Sequence, residues 1–307
     1  MATATSSPMR HGFLVIDKAP GWTSHDVVAR VRRLVGMKRV GHGGTLDPFA
    51  TGLVIVAVGR ATRLLQYVAD SDKRYLAHVV LGAATDTYDV DGDVTTRSSA
   101  ALPDLDAIEA TLESFVGVID QVPPAFSAIK VDGKRLYARA RAGEDVVAPT
   151  RQVRIDAIRV LSYDPPDLYL DIACGKGTYI RSIAHDLGQQ LGCYAYCHGL
   201  RRISSGEFSI DEAWTLEDLA NTDVRERWPD IALHPDRAVH HLSAAILDGE
   251  RTASWYHGRS VELRASYPYS SDSLLRVYSA DGRFVGIGRP VDDGFIRPAF
   301  VFAANGE

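Results

Sequence analysis

Apolar positions along the chain fall into short runs whose spacing alternates between strand and helix periods. Residues 13–17 read as a short strand, and L-V-I-V-A-V at 53–58 is an unbroken apolar run expected of a buried strand. Between them, Ser24 stands as the N-cap of a helix reaching about Val35. Val27, Val28, Val31, Leu34 and Val35 share one of its faces, while Arg30, Arg32 and Arg33 take the other. Residues 74–81 are strand-like, and 105–115 form a helix that buries Ile108, Leu112 and Phe115. Two strands, 154–162 and 167–174, are joined through Asp164-Pro165-Pro166. Residues 179–191 make a helix with Ile180, Ile183, Ala184 and Leu187 inside. Strands outnumber helices and do not alternate with them, which predicts an α+β fold with a mixed, mostly antiparallel sheet. The stretch 211–237, with Trp214 and Trp228, is acidic and helical. From about Leu242 the pattern turns to closely spaced strands, with Asp281-Gly282 as a hairpin turn. The expected division is a disordered leader at 1–10, a large domain at 11–240 and a small β-rich domain at 241–307.

Composition narrows the class. No apolar run approaches a membrane span, and the first ten residues lack the apolar centre of a signal peptide, so a cytoplasmic location is expected. Three cysteines are too few for a disulfide framework. The cluster Cys193-x-x-x-Cys197-His198 has an unusual ligand spacing and no fourth ligand, so buried neutral thiols, and no metal, are expected. Net charge is −5, yet residues 30–74 carry nine Lys/Arg against three Asp/Glu, and 83–114 carry one against eight. Phosphate binding needs local positive surface, so the total does not exclude an RNA partner.

The most informative string is G-H-G-G-T-L-D-P-F-A-T-G at 41–52. Its glycines permit tight bends, and Pro48 biases Asp47 away from helical backbone. A carboxylate on a constrained loop running into a rigid strand is how a catalytic acid is often mounted. A turn aspartate capping its own backbone is the competing reading.

That string resembles the catalytic motif of the TruB family, the tRNA pseudouridine-55 synthases, whose pattern is G-H-x-G-x-L-D-P-x-A-x-G. Further stretches resembling the family follow in its order: L-V-I-D-K-A-P-G-W-T-S from Leu14, S-D-K-R-Y from Ser71, T-D-T-Y-D-V-D-G from Thr85, P-P-A-F-S-A-I-K from Pro123, G-K-G-T-Y-I-R-S-I-A-x-D-L-G from Gly175, and L-R-R from Leu200. One departure is Gly43, where the family often has threonine; a looser loop is the expected consequence. The resemblance implies an α+β pseudouridine synthase domain followed by a small PUA-like β-domain. It also implies isomerisation of uridine 55 in the tRNA T-loop. That reaction involves no redox change, so no cofactor is expected. The expected partner is the tRNA T-arm, with the enzyme working as a monomer without a protein partner.

By the same resemblance, Asp47, Tyr75 and Arg181 are the catalytic residues. A carboxylate can serve as nucleophile or base. Burial keeps a carboxyl protonated unless a cation offsets it, and Arg181 is expected to grip Asp47 with two parallel hydrogen bonds. Tyr75 is expected to stack on an extruded uracil rather than act as a base, since its ordinary pKa is about 10. His42 corresponds to the residue that holds the RNA loop open. Tyr179 and Leu200 would line the base pocket, and Asp89 would contact RNA from a solvated loop. Lys18 and Pro20 would buttress the catalytic loop; Lys130 and Arg202 would take phosphate or structural roles. The alternatives are a non-catalytic RNA-binding or tRNA-folding protein, or a pseudouridine synthase for another RNA. D-V-D-G-D-V-T from Asp89 also resembles a phosphatase or calcium loop, but the preceding residues are not an apolar strand, and Thr87 and Ser98 fall where calcium ligands are needed.

Overall fold

In the computed structural model, which describes residues 10–126, 130–131, 134–135, 148–263, 273–291 and 294–302, two sheets share an apolar junction. The chain begins with β1 (Gly12–Lys18), α1 (Ser24–Val35), β2 (Val40–His42), β3 (Thr51–Val58), α2 (Leu65–Ala69) and β4 (Lys73–Leu81). A side ribbon of β5 (Ala83–Thr85) and β6 (Val94–Arg97) precedes α3 (Leu105–Glu113) and β7 (Gly117–Gln121). The two-residue strands β8 (Lys130–Val131) and β9 (Lys134–Arg135) pair with each other. There follow β10 (Arg151–Asp164), β11 (Asp167–Cys174), α4 (Ile180–Gln190), β12 (Ala195–Ser205), β13 (Phe208–Ser209), α5 (Leu216–Ala220) and α6 (Trp228–Ile231). The C-terminal part holds β14 (Ser243–Leu247), α7 (Gly249–Tyr256), β15 (Val261–Glu262), β16 (Leu275–Ser279), β17 (Phe284–Val291) and β18 (Phe295–Val301).

The larger sheet runs β1-β3-β12-β4-β11-β10-β7, with β2 added to β3 and β13 to β12. Among the described residues its one parallel strand pairing is β12 with β3. The smaller runs β14-β16-β17-β18-β15 and, among the described residues, is parallel between β14 and β16 and antiparallel elsewhere. This is the mixed, mostly antiparallel α+β architecture that the strand pattern predicts.

The unbroken run on β3 has a direct cause. Val54, Val56 and Val58 point into the core shared with Leu14 and Ile16 of β1 and with α1. Leu53, Ile55 and Ala57 point the other way, into a second apolar cluster that also holds Leu64, Phe208, Val239 and, from the C-terminal part, Phe284, Ile287, Phe300 and Phe302. A strand covered on both faces needs apolar residues at every position. On β4, by contrast, Tyr75, Ala77, Val79 and Leu81 are buried and the alternating residues are more open.

Several expectations are corrected. The N-cap of α1 is Thr23, one residue earlier than expected. Its hydroxyl accepts from the Asp26 N–H at 3.1 Å while the Asp26 carboxylate accepts from the Thr23 N–H at 3.0 Å, a reciprocal capping box. Arg10, expected in the leader, belongs to the fold and donates to the Arg225 carbonyl; residues 1–9 lie outside the described residues. Strands β7 and β12 have no counterpart in the sequence reading, although β12 lies inside the sheet, between β3 and β4. Trp228 packs in the main core and Trp255 in the C-terminal sheet's own core. The junction itself is phenylalanine-rich, supplemented by a hydrogen bond of 2.6 Å from the Tyr278 hydroxyl to Asp236.

Candidate active site

The loop between β2 and β3 carries Asp47, and three buried side chains fix it. Lys18, at the end of β1 and fully buried, donates from Nζ to the carbonyls of Pro48 (3.1 Å), Trp22 (2.8 Å) and Ala19 (3.1 Å). Burial pushes its ammonium down to about 8, with Asp47 opposing the shift. Ser24, freed from capping, accepts from the Leu46 N–H at 2.9 Å. Arg202 of β12, only 2% exposed, donates to the carbonyls of Leu53 (2.7 Å), Gly44 (3.3 Å) and Thr45 (3.4 Å). Of the two roles expected for Arg202, this burial and bonding supports the structural one: three of its N–H groups hold backbone carbonyls of the loop and of β3. Gly52 has φ +95°, and a Cβ there would collide with the Arg202 backbone where β3 meets β12. Gly43 does not loosen the loop. Its N–H donates to the Ile55 carbonyl at 2.9 Å, and a side chain there would strike Val68. Pro20 is exposed, but its neighbour Gly21 donates to the Pro48 carbonyl at 2.9 Å.

Arg181, in the first turn of α4, meets Asp47 differently from the expected two-bond grip. Its Nε lies 3.0 Å from Asp47 Oδ2 as an ion pair without hydrogen-bond alignment. Nη1 donates to Asp89 Oδ2 at 2.8 Å and to the Thr87 carbonyl at 3.0 Å, and Nη2 donates to the Phe126 carbonyl at 3.2 Å. Asp89, expected against RNA, is 4% exposed and serves Arg181 instead. Its Oδ1 also accepts from Thr87 Oγ1 at 2.6 Å and from the Asp91 N–H at 3.1 Å. The acidic loop is docked rather than free: Tyr88, at φ +63°, stacks on His185 with ring centroids 3.7 Å apart. One guanidinium thus serves two carboxylates. Enclosure raises the Asp47 pKa above the ordinary carboxylate range; Arg181 and Lys18 oppose this, while Asp89 and Asp91 reinforce it.

Asp47, Tyr75, Tyr179, Arg181 and Leu200 come together around a cavity of about 250 Å³. That is below the roughly 300–1,000 Å³ of a drug-sized ligand site, and it suits a single base. Tyr75 is buried, and burial pushes its hydroxyl pKa up, so it stays protonated at neutral pH. His42 ends β2 with its ring edge-on to His25 at 5.2 Å. Burial, then the neighbouring His25, holds its pKa below the ordinary value, so the ring is neutral. Lys130 contributes backbone to β8, and its side chain lies outside the described residues. The three cysteines are buried, as expected of neutral core thiols.

Three lining or supporting residues escaped the sequence reading. Lys73 lines the cavity and donates to the carbonyls of Ala69 and Ser71. Its place two residues before Tyr75 on one strand was a usable signal, because i and i+2 share a face. Gln121 is 1% exposed and holds Tyr179 by both backbone groups, at 3.0 and 2.8 Å. Arg151 lines the cavity mouth with its guanidinium 4.6 Å from the Tyr179 ring centroid. Neither of these two had a sequence signal.

Comparison with known proteins identifies the family and the fold. Residues 32–180 match the TruB family pseudouridylate synthase N-terminal domain. Residues 181–250 match the tRNA pseudouridylate synthase B C-terminal domain, and 243–302 match the pseudouridine synthase II TruB C-terminal family. A Dehalococcoides mccartyi protein named tRNA pseudouridine synthase B is 43% identical over 292 residues, 95% of this chain and 96% of that one. A Gloeothece citriformis protein of the same name is 43% identical over 280 residues, 90% of each chain. A chain in the crystal structure of a Cbf5-Nop10-Gar1 complex superposes with a TM-score of 0.74 at 26% identity, across 96% of this chain and 85% of that one. The fold also matches, at TM-score 0.73 and 24% identity, a chain in an H/ACA RNP bound to a substrate RNA containing 2'-deoxyuridine, over 95% of this chain and 85% of that one. With its catalytic-loop motif, its fold and its near full-length relatives in agreement, the chain belongs to the TruB family of pseudouridine synthases.

Proposed function

We propose that the protein converts uridine 55 in the T-loop of tRNA to pseudouridine, with Asp47 as nucleophile or base. The observation that carries this is Asp47 on a braced loop, 3.0 Å from a buried arginine, at the wall of a base-sized cavity. A uridine inside a folded loop is out of reach until it is extruded. Once it is seated, the bond from N1 to the ribose C1' breaks, the uracil turns within the cavity, and C5 bonds to C1'. The C5 proton leaves and N1 gains one, so atoms balance without a cofactor. Arg181 favours the ionised carboxylate, and the Tyr75 ring offers a stacking face beside it. His42 would occupy the space the uridine leaves, and the neutral ring suits stacking. The names of the relatives support tRNA as the substrate class, and the enzyme is read as a monomer acting in the cytoplasm. Mapping pseudouridine in tRNA from cells with and without the protein tests the reading: position 55 should lose its modification when the protein is absent. Retention of full modification there would sink it.

A further inference from the structure

The mouth of the cavity holds a cation with no assigned work. Arg151, the first residue of β10, stacks over Tyr179 and donates one Nη2 N–H to the Gly177 carbonyl. Its Nε–H is enclosed and has no acceptor. Among the described residues no carboxylate pairs with it. The seat beneath it is rigid. Arg151 lies opposite Gln121 in the β10–β7 register, and Gln121 clamps the Tyr179 backbone on both sides. The ring–guanidinium contact therefore holds a permanent positive charge at a defined place, with no carboxylate against it among the described residues.

We propose that Arg151 binds a phosphodiester flanking the extruded uridine. This rests on the function proposed above. A cavity of about 250 Å³ takes the base, so the charged backbone of the same nucleotide must stay at the rim where Arg151 sits. Guanidinium donors match phosphate oxygens in spacing and charge. Arg151 would fix the backbone of the target nucleotide while Asp47 works on its ribose or base, making it a substrate-binding residue.

The test is a cycle that changes both partners. T-arm hairpins are made with the natural linkage or with a neutral methylphosphonate on the 5' or the 3' side of the target uridine. Wild type and Arg151→Met are compared by single-turnover rate divided by Kd. Losing one charge-assisted contact should cost roughly tenfold for either change alone. At one of the two linkages the combined loss should be no greater than the single losses. Losses that multiply at both linkages, or no loss in Arg151→Met, would overturn the inference. If melting shows Arg151→Met to be unfolded, Arg151→Gln enters the same cycle. A wild-type protein that makes no pseudouridine in the natural hairpin would instead remove the functional reading itself.

Discussion

Two regions beside β3 are built on opposite principles. The loop that leads into it and carries Asp47 is held by buried charge: Lys18 on three carbonyls, Arg202 on three more, and Arg181 between two carboxylates. The junction with the C-terminal sheet is an apolar cluster that holds Phe13, Leu53, Ile55, Phe284, Phe300 and Phe302. Burying an ion costs several kcal/mol that its partners only partly repay, so buried ions are weak evidence for stability. What they supply is direction, because each donor fixes an acceptor to within a few tenths of an ångström. Apolar contact supplies adhesion without direction. The loop needs placement and the junction needs adhesion, and that contrast makes predictions.

The largest effect falls on the charged side. Asp47→Asn should abolish isomerisation, because an amide is neither nucleophile nor base, while tRNA binding persists. Stability should move the other way. A carboxyl whose folded pKa is raised contributes stability that is full below its unfolded pKa and is lost as pH rises through the folded value. At pH 7 the charge therefore burdens the fold, and Asp47→Asn should melt no lower than wild type. Near pH 3 that advantage should vanish. Melting curves at both pH values and a single-turnover assay check this; turnover near wild type would break the assignment of Asp47.

Next in size is removal of the apolar cover. A chain ending after Arg237 keeps every proposed chemical residue, and the strand pattern alone would predict a working domain. The junction alters that expectation: the apolar cluster that holds Phe13, Leu53 and Ile55 would lose Ala238, Val239, Phe284, Ile287, Phe300 and Phe302, and its remaining members would meet water. Bare apolar surface of this kind favours aggregation. Size-exclusion chromatography should find the shortened chain aggregated, and a soluble, active monomer would show that the junction is dispensable.

How much was legible follows the same division. Strands β1 and β3 and helices α1 and α4 announced themselves because apolar packing leaves a periodic trace. Strand β12 did not, since A-Y-C-H-G-L-R-R-I-S-S contains an arginine that reads as surface yet is 2% exposed. Asp89 read as a solvated acid, and its burial is decided by Arg181, 92 residues away. Buried charge depends on partners that no local pattern encodes. The resemblance to a family supplied Asp47, Tyr75 and Arg181, but not the sharing of Arg181 between two acids.

A matched pair sharpens the contrast. Arg202→Met leaves loop carbonyls without donors, at a cost of about 1–3 kcal/mol each where buried. Phe300→Ala opens a cavity at a cost of about 3–5 kcal/mol. Both should lower the melting temperature, by roughly 2–4 °C per kcal/mol for a chain of this size. Only Arg202→Met should reduce the single-turnover rate of the folded fraction, because only it frees the Asp47 loop. Equal rates for the two variants would refute the division between placement and adhesion.

The smallest effect separates two arginines of one helix. Binding to tRNA should weaken as salt rises despite the net charge of −5, since each neutralised phosphate releases counterions. Arg32 donates to the carbonyls of Lys38 and Val40, so its guanidinium already holds the turn into β2. Arg33, one residue on and likewise exposed, makes among the described residues a single long contact, 3.4 Å to the Ala29 carbonyl. Arg33→Ala should therefore lower the slope of log affinity against log salt by about 1, with little change in melting. Arg32→Ala should lower the melting temperature and leave that slope nearly unchanged. Filter binding across a salt series, paired with melting curves, measures both quantities on the same preparations. If Arg32→Ala shifts the slope and Arg33→Ala does not, hydrogen bonds to the backbone are a poor guide to which arginines remain available for RNA.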